Sequence, residues 1–94
     1  MYTTVRIYAG ASTLVDDLVR HRESVQTAIS AIPGFRSYSL LRTAEGGGAS
    51  ISVCDDQAGA EATNRAAAAW IAENLPDLAI APPAISAGEV VVDF

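Results

Sequence analysis

The stretch Ala31-Ile32-Pro33-Gly34-Phe35-Arg36-Ser37-Tyr38-Ser39-Leu40-Leu41-Arg42 decides the order of elements in this chain of 94 residues. A helical pattern stops at Pro33-Gly34, because proline cannot continue a helix and glycine readily adopts the positive φ of a helix-ending turn. A strand pattern begins at once with the aromatic Phe35. One strand and one helix precede this junction, and a strand, a helix and a strand follow it. The sequence therefore predicts the order βαββαβ.

The other boundaries follow from apolar periodicity and from turn residues. Gly10 and Ala11 break the first strand, and either Ser12 or Thr13 is a candidate cap for the first helix. Gly46-Gly47-Gly48 predicts a hairpin loop, since glycine supplies the positive φ angles of tight turns. The predicted strands cover residues 2–9, 35–43, 49–54 and 85–94, and the predicted helices cover residues 13–32 and 57–75.

This pattern predicts a single α+β domain over residues 1–94 with the ferredoxin-like βαββαβ fold. We expect a four-stranded antiparallel sheet in the order 4-1-3-2, with two helices on one face. Alternation divides the strand residues into two sets, and period alone does not decide which set faces the helices. One set, which includes Arg6, Tyr8 and Tyr38, is mixed and aromatic. If strands 1 and 4 are neighbours, Arg6 could pair with Glu89.

Composition excludes several classes of function. Half of the residues are hydrophobic, which is high for so small a domain and favours a partner surface. The net charge is −5 and the six arginines are scattered among eleven acids without any lysine, which argues against nucleic-acid binding. The single cysteine, Cys54, excludes an internal disulfide and a CxxC motif. No metal cluster and no membrane-spanning run stands out, so we expect a cytoplasmic protein without a metal.

Several segments together resemble the antibiotic biosynthesis monooxygenase-like branch of the dimeric α/β-barrel proteins. They are the Ile32-Pro33-Gly34-Phe35 junction, a long second strand, the run Ser50-Ile51-Ser52-Val53-Cys54-Asp55-Asp56, an alanine-rich second helix with Trp70, and a valine-rich last strand. The resemblance covers nearly the whole chain. It implies a homodimer in which two sheets face each other as a barrel, with a small-molecule pocket between sheet and helices in each subunit.

The resemblance also implies a choice of activities. Some members oxidise aromatic polyketides or quinols with oxygen and no cofactor, and others degrade haem. The haem-degrading members combine a tryptophan with a histidine on or near the second helix and an asparagine on the first strand. This chain has no histidine after His21 and no asparagine in residues 2–9, so we do not expect haem degradation.

Two residues are candidates for catalysis. His21, the only histidine, lies at the edge of the apolar stripe of the first helix and could take a proton from a phenol or hydroquinone near neutral pH. The alternative is a partly buried surface histidine between Arg20 and Arg22. Asn64, on the second helix, could orient a ligand carbonyl or stabilise an oxyanion.

Four further residues are candidates for ligand binding. Trp70 is a candidate pocket wall, although a lone tryptophan in a small core commonly serves packing. Tyr8, Tyr38 and Arg36 could bind a phenolate, as could Arg6. Interfaces are enriched in tyrosine and arginine, however, and for the tyrosines and arginines we favour a dimer contact.

We therefore expect a homodimer with a small apolar pocket in each subunit, acting as a cofactor-independent monooxygenase on a small aromatic or polyketide-like ligand. Substrate deprotonation would precede reaction of the carbanion or phenolate with oxygen, and His21 is the candidate base. The alternative is a non-catalytic ligand-binding or structural dimer, which the missing family asparagine and histidine favour. A regulatory amino-acid-sensing domain on the same fold is weaker, because such modules usually accompany a second domain.

Overall fold

The computed structural model describes residues 1–10 and 12–94, without the side chain of Ser12. Ala11, one of the two residues predicted to break the first strand, lies outside the described residues, as does the Ser12 side chain that would form the predicted cap. Thr13 lies within the first helix rather than before it. The elements in chain order are β1 (Tyr2–Tyr8), α1 (Ser12–Arg20), α2 (Arg22–Ser30), β2 (Phe35–Arg42), β3 (Gly48–Cys54), α3 (Gln57–Asn74) and β4 (Ala84–Glu89).

The four strands form one antiparallel sheet in the order β2-β3-β1-β4. This is the predicted order 4-1-3-2 read from the other edge, and it confirms the ferredoxin-like fold. The central pair sets β1 against β3 with Arg6 opposite Ser50 and Thr4 opposite Ser52. The two central strands carry several of the most buried side chains: Thr4, Arg6, Ser50, Ser52 and Cys54.

The junction at Pro33-Gly34 has the predicted geometry. Gly34 has a φ of +80°, and the Phe35 backbone N–H donates to the Ile32 carbonyl at 3.1 Å. The Asp55 N–H in turn donates to the Gly34 carbonyl at 2.9 Å, which ties the start of β2 to the end of β3. The turn thus fixes the direction in which β2 enters the sheet.

The prediction of one continuous first helix is wrong, because the helix is divided at His21. This residue has φ −106° and ψ 27°, outside the α-helical region, and it separates α1 from α2. Five consecutive polar residues, 20–24, surround the division, so no apolar side chain there holds the helix against the sheet. The bend brings Ser24 to Trp70, whose Nε1–H donates to the Ser24 hydroxyl at 2.9 Å.

The last strand is shorter than predicted, ending at Glu89 instead of Phe94. Glu89 is opposite Tyr2, the first residue of β1, so the partner strand ends there. One further bond, from the Val90 N–H to the Met1 carbonyl at 2.9 Å, follows the ladder. The predicted centre of the strand, Val90-Val91-Val92, therefore lies beyond it, and Val91 and Val92 are exposed.

The helices cover the mixed, polar face of the sheet. Thr4, Arg6, Tyr8, Ser50 and Ser52 are buried beneath them, together with Cys54. The predicted dimer contact is therefore wrong for Arg6 and Tyr8, which face the helices of their own subunit. The opposite, open face carries the apolar alternates of the same strands: Val5, Ile7, Leu41, Ile51 and Val53.

The predicted pairing of Arg6 with Glu89 is also wrong. Strands β1 and β4 are neighbours, but their register sets Ile85 opposite Arg6. Glu89 is four residues further along, which corresponds to about 13 Å of strand. An apolar core of Leu14, Leu18, Val25, Ile29 and Trp70 packs beside the polar face. Within the described residues, no helix is long and apolar enough to cross a membrane.

Candidate active site

A buried arginine occupies the centre of the helix-covered face. The side chain of Arg6 is 1 % exposed and makes four hydrogen bonds, each to a neutral group. Its Nε donates to Ser50 Oγ at 2.8 Å, one terminal nitrogen donates to Ser52 Oγ at 2.7 Å, and the other donates to Thr63 Oγ1 at 3.2 Å and to Asn64 Oδ1 at 2.7 Å. Two adjacent strands and α3 therefore hold the guanidinium in one position.

Small residues of α3 make room for this arrangement. The helix begins at the Asp56 cap, whose carboxylate accepts from the Gly59 N–H at 2.9 Å, and it presents Ala60 and Thr63 to the sheet. Neither side chain is large, so the helix lies close over β1 and β3. Thr63 donates its own hydroxyl hydrogen to the Ala60 carbonyl at 2.7 Å, which leaves its oxygen free to accept from Arg6.

The charge of Arg6 has no acidic partner within the described part of the chain. Burial lowers its pKa from the ordinary value, because desolvation disfavours the charged form. Arginine nevertheless keeps its proton in proteins, so the site retains a positive charge. The hydrogen bonds stabilise this charge without neutralising it.

The tyrosines beside Arg6 do not neutralise it either. Burial raises the pKa of Tyr8 above its ordinary value, and the Arg6 charge offsets this in part. The pKa of Tyr38 is raised by burial in the same way, again with an opposing effect of Arg6. Burial, followed by Asp56 and Asp55, raises the pKa of the Cys54 thiol. At neutral pH all three groups are protonated, and the phenols are hydrogen-bond donors.

Asn64 is fixed with its amide nitrogen available. Its Oδ1 accepts from Arg6 and from the Thr4 hydroxyl, the latter at 3.0 Å. Arginine can only donate, so the oxygen of the amide must be the atom that faces it. Both bonds use Oδ1, and Nδ2 donates to no other side chain or backbone group in the described residues. Asn64 also lines a cavity, in which this N–H₂ group can meet a ligand.

The cavity in question has a volume of about 460 Å³ and lies between α3, the connection after it and the β1–β4 edge of the sheet. Arg6, Tyr8 and Asn64 are the polar residues of its lining, and Arg6 is hydrogen-bonded to Asn64. The remainder of the lining is apolar and rich in proline: Ala68, Ile71, Ala72, Leu75, Pro76, Leu78, Pro82, Pro83 and Ile85. Apolar walls with a few convergent polar groups are typical of small-molecule sites.

A second cavity of about 620 Å³ lies between α1, α2 and β2, with Tyr38, Phe35 and Arg22 in its lining. A small void of about 10 Å³ lies in the core between the two cavities and is lined by Tyr8, Tyr38 and Trp70, among others. The aromatic side chains thus separate the two cavities.

The structure brings together two of the predicted site residues, Asn64 and Tyr8, at the 460 Å³ cavity. Tyr38 lies at the other cavity, and Trp70 is 6 % exposed in the core between them. His21 is exposed at the α1–α2 bend, with its ring centroid 5.8 Å from that of Trp70, and it is not among the residues that line either cavity. Its role as a base stays a prediction.

Arg36 lies apart from both cavities. It is about half exposed and pairs with Asp55 on the surface, where such a pair contributes little to stability. The residues that sequence reasoning missed are those around Arg6, namely Thr4, Ser50, Ser52 and Thr63. Their sequence spacing could have indicated the site. Thr4 and Arg6 on β1, and Ser50 and Ser52 on β3, are polar residues two positions apart, so each pair lies on one face of its strand.

The fold is the ferredoxin-like α+β fold that the sequence resemblance implies. No protein-family model and no curated protein matches the sequence.

Several solved structures are similar to this chain over nearly its whole length. NE2512, a protein of unknown function from Nitrosomonas europaea, superposes with a TM-score of 0.69 at 23 % identity, over 99 % of this chain and 90 % of that one. A point mutant of MhuD with two manganese protoporphyrin IX molecules per active site also has a TM-score of 0.69, at 21 % identity over 99 % and 96 % of the two chains. SnoaB, a cofactor-independent oxygenase from Streptomyces nogalater, gives 0.57 at 17 % identity over 98 % and 92 %. At these identities the similarity establishes the fold.

Proposed function

We propose that this protein is a cofactor-independent monooxygenase that oxidises a small hydroxyaromatic substrate in the 460 Å³ cavity. The observation that carries the proposal is that Arg6, Tyr8 and Asn64 line a cavity whose other lining residues are apolar. Such a cavity can hold an aromatic ring by its apolar walls and a ring oxygen by its polar groups. The cofactor-independent oxygenase SnoaB, which has the same fold, supports this chemistry.

The overall reaction balances without a cofactor. A phenol and one molecule of oxygen give a quinone and one molecule of water. One oxygen atom forms a bond to the ring carbon opposite the hydroxyl, and the other leaves as water with the hydrogen of that carbon and the hydrogen of the hydroxyl. The substrate supplies all the electrons, so no external reductant is needed.

The cavity residues have distinct roles in this proposal. The Asn64 N–H₂ group donates to the substrate oxygen, because its own oxygen is held by Arg6 and Thr4. The Tyr8 hydroxyl is protonated at neutral pH, since burial raises its pKa, and it can donate to the same oxygen. Two donors directed at an oxygen on which negative charge develops stabilise that charge during the reaction.

The direct test is oxygen uptake with a panel of phenols and 1-naphthols that carry a hydrogen on the ring carbon opposite the hydroxyl. We expect the wild-type protein to consume one oxygen molecule per substrate oxidised, and H21A to retain at least about half of this rate, because His21 lies outside the lining of the cavity. A loss of turnover in H21A with an unchanged melting temperature would restore the prediction of His21 as the base. Absence of oxygen uptake with every compound would contradict the proposed reaction.

One observation favours a second candidate, a ligand-binding protein without catalysis. In the described part of the chain, the cavity lining contains no histidine and no carboxylate to act as a base. A ligand that binds only the folded state raises the melting temperature. Stabilisation by the panel without oxygen uptake would therefore support the binding protein over the enzyme.

We also propose that the protein is a homodimer that pairs through the open face of the sheet. Val5, Ile51 and Val53 are half-buried there, and Ile7 and Leu41 are about half exposed, so the apolar alternates of three strands face away from the helices. An exposed apolar patch of this kind favours association. The dimeric barrel implied by the sequence resemblance uses the same face.

Sedimentation at micromolar concentration is expected to give about twice the monomer mass of 9.8 kDa. Ile7→Asp should shift the mass to that of the monomer, because it buries an unpaired carboxylate in the interface. Val19→Asp is the matched control, since Val19 is similarly exposed, at 56 % against 47 % for Ile7, but lies on α1 at the other face of the molecule. A wild-type mass near 9.8 kDa would exclude this interface.

A further inference from the structure

We propose that the cavity binds its hydroxyaromatic ligand as the oxyanion, with the buried charge of Arg6 as the counter-charge that makes the ligand acidic. The inference rests on the proposed function, because it concerns the same cavity. It specifies the substrate class, which is a phenol or enol whose ionised oxygen points toward Asn64 and Tyr8. It also implies that solvent takes the proton, so that no side chain of the protein needs to act as a base.

The first argument is the charge of the site itself. Arg6 is 1 % exposed, and its four partners are three hydroxyls and one amide. Buried charges in proteins are commonly paired, because an unpaired charge carries a large desolvation cost. In this protein no anion within the described residues pairs with Arg6, so the desolvation cost of its charge is not offset by a charged partner. A ligand with a negative oxygen in the adjoining cavity would compensate the charge.

The second argument concerns every element packed around Arg6. The titratable groups that face it are Tyr8 of β1, Tyr38 of β2 and Cys54 of β3, and the pKa of each is raised. The charged residues of α3 and β4 are Glu61, Arg65, Glu73 and Glu89, and all of them are exposed. None of these groups provides a buried negative charge near Arg6 at neutral pH.

The third argument is the direction of the donors. Arg6 is hydrogen-bonded to Asn64 and interacts with Tyr8, and all three line the same cavity. A ligand oxygen that accepts from Asn64 Nδ2 and from the Tyr8 hydroxyl would lie in the field of the guanidinium. Arg6 is thus a positioning residue that acts by its charge and through Asn64, while Asn64 and Tyr8 contact the ligand.

A chromogenic phenol tests the inference without any turnover. The probe is 4-nitrophenol, whose phenolate absorbs at a longer wavelength than the phenol, titrated with pH under anaerobic conditions in the presence of saturating protein. An opposite charge within a few ångströms lowers a pKa by about 1–3 units, so we expect the bound probe to ionise at least about one pH unit lower than the free probe. This corresponds to a phenolate bound about tenfold more tightly than the phenol, or more.

Asn64→Asp is the decisive variant. The new carboxylate keeps an oxygen toward Arg6 and Thr4, so both hydrogen bonds and the fold are retained, and it supplies the missing negative charge. We expect the pKa shift of the bound probe to disappear and the affinity for the phenolate to fall at least about tenfold. Gln57→Glu is the matched control, because it adds the same charge at an exposed position on the same helix and should leave the shift unchanged.

The outcomes separate this inference from the proposed function. A bound probe with an unshifted or raised pKa would overturn the inference, as would equal shifts in N64D and wild type or a probe that fails to bind as phenolate. Oxygen uptake with the hydroxyaromatic panel would in those cases leave the proposed reaction intact. A lowered pKa without oxygen uptake would instead support oxyanion binding by a protein that is not an oxygenase.

Discussion

Replacement of Arg6 by methionine is expected to slow the oxygen-dependent turnover of a hydroxyaromatic substrate by about 10²-fold or more. A preorganised charge or donor directed at a developing oxyanion typically contributes about that factor. Methionine fills a similar space but removes both the positive charge and the four hydrogen bonds of the guanidinium. The measurement is kcat from oxygen uptake, together with the pKa of bound 4-nitrophenol, which should return to its free value.

Arg6→Lys separates charge from hydrogen bonding. Lysine keeps a positive charge but cannot reproduce the planar fork that bonds to Ser50, Ser52, Thr63 and Asn64. We expect part of the pKa shift of the bound probe to survive in R6K and none of it in R6M. Equal turnover in R6M and wild type, with both proteins folded, would contradict the role given to the charge.

The largest expected effect on stability is that of Gly47→Ala in the β2–β3 hairpin. A Cβ atom at Gly47 would lie 2.5 Å from the backbone oxygen of Tyr8 and 3.3 Å from Thr43 Oγ1. The first of these atoms belongs to the backbone of β1, so the hairpin and the central strand must move apart. Overpacking of this kind costs about 1–3 kcal/mol, and we expect a loss near the upper end.

Thermal unfolding measures this loss. For a domain of this size, about 3 kcal/mol corresponds to a fall of at least about 12 °C in the melting temperature. Gly88→Ala is the control, because a Cβ at Gly88 meets no atom within 4 Å and its φ is not positive. It should change the free energy of unfolding by less than about 1 kcal/mol. A similar melting temperature for G47A and wild type would contradict the predicted steric clash between the hairpin and β1.

The sequence explains only in part why three glycines follow one another in the β2–β3 hairpin. The hairpin at Gly46-Gly47-Gly48 was predicted from the positive φ that glycine permits, and Gly46 has a φ of +85°. The other two glycines are required for a different reason. A Cβ at Gly48 would lie 2.6 Å from Val15 Cγ2, as a Cβ at Gly47 would crowd Tyr8, so both permit close approach between elements far apart in sequence.

The candidate site was predictable only in part. Asn64 and Tyr8 were recognised as polar or aromatic residues with the right chemistry, and they meet at one cavity. For Arg6 the sequence predicts a dimer contact or a pairing with Glu89, because alternation gives two sets of strand residues and does not indicate which set the helices cover. Asn64 and Arg6 are 58 positions apart in the chain, and no local pattern indicates that their side chains bond.

Local residue patterns were enough to predict the order of strands and helices, apart from the division of the first helix at His21, as well as the sheet order and the turns. These depend on local chemistry, such as the proline and glycine that end a helix, the Asp56 cap and the alternation of strands, together with the connection rules of a small sheet. No local pattern indicates which face of the sheet the helices cover, and this is known only from the assembled fold. That choice depends on how the small residues of α3 fit over Arg6, and packing between distant segments is a property of the assembled chain. It is this choice that buries the positive charge of Arg6 beside a cavity.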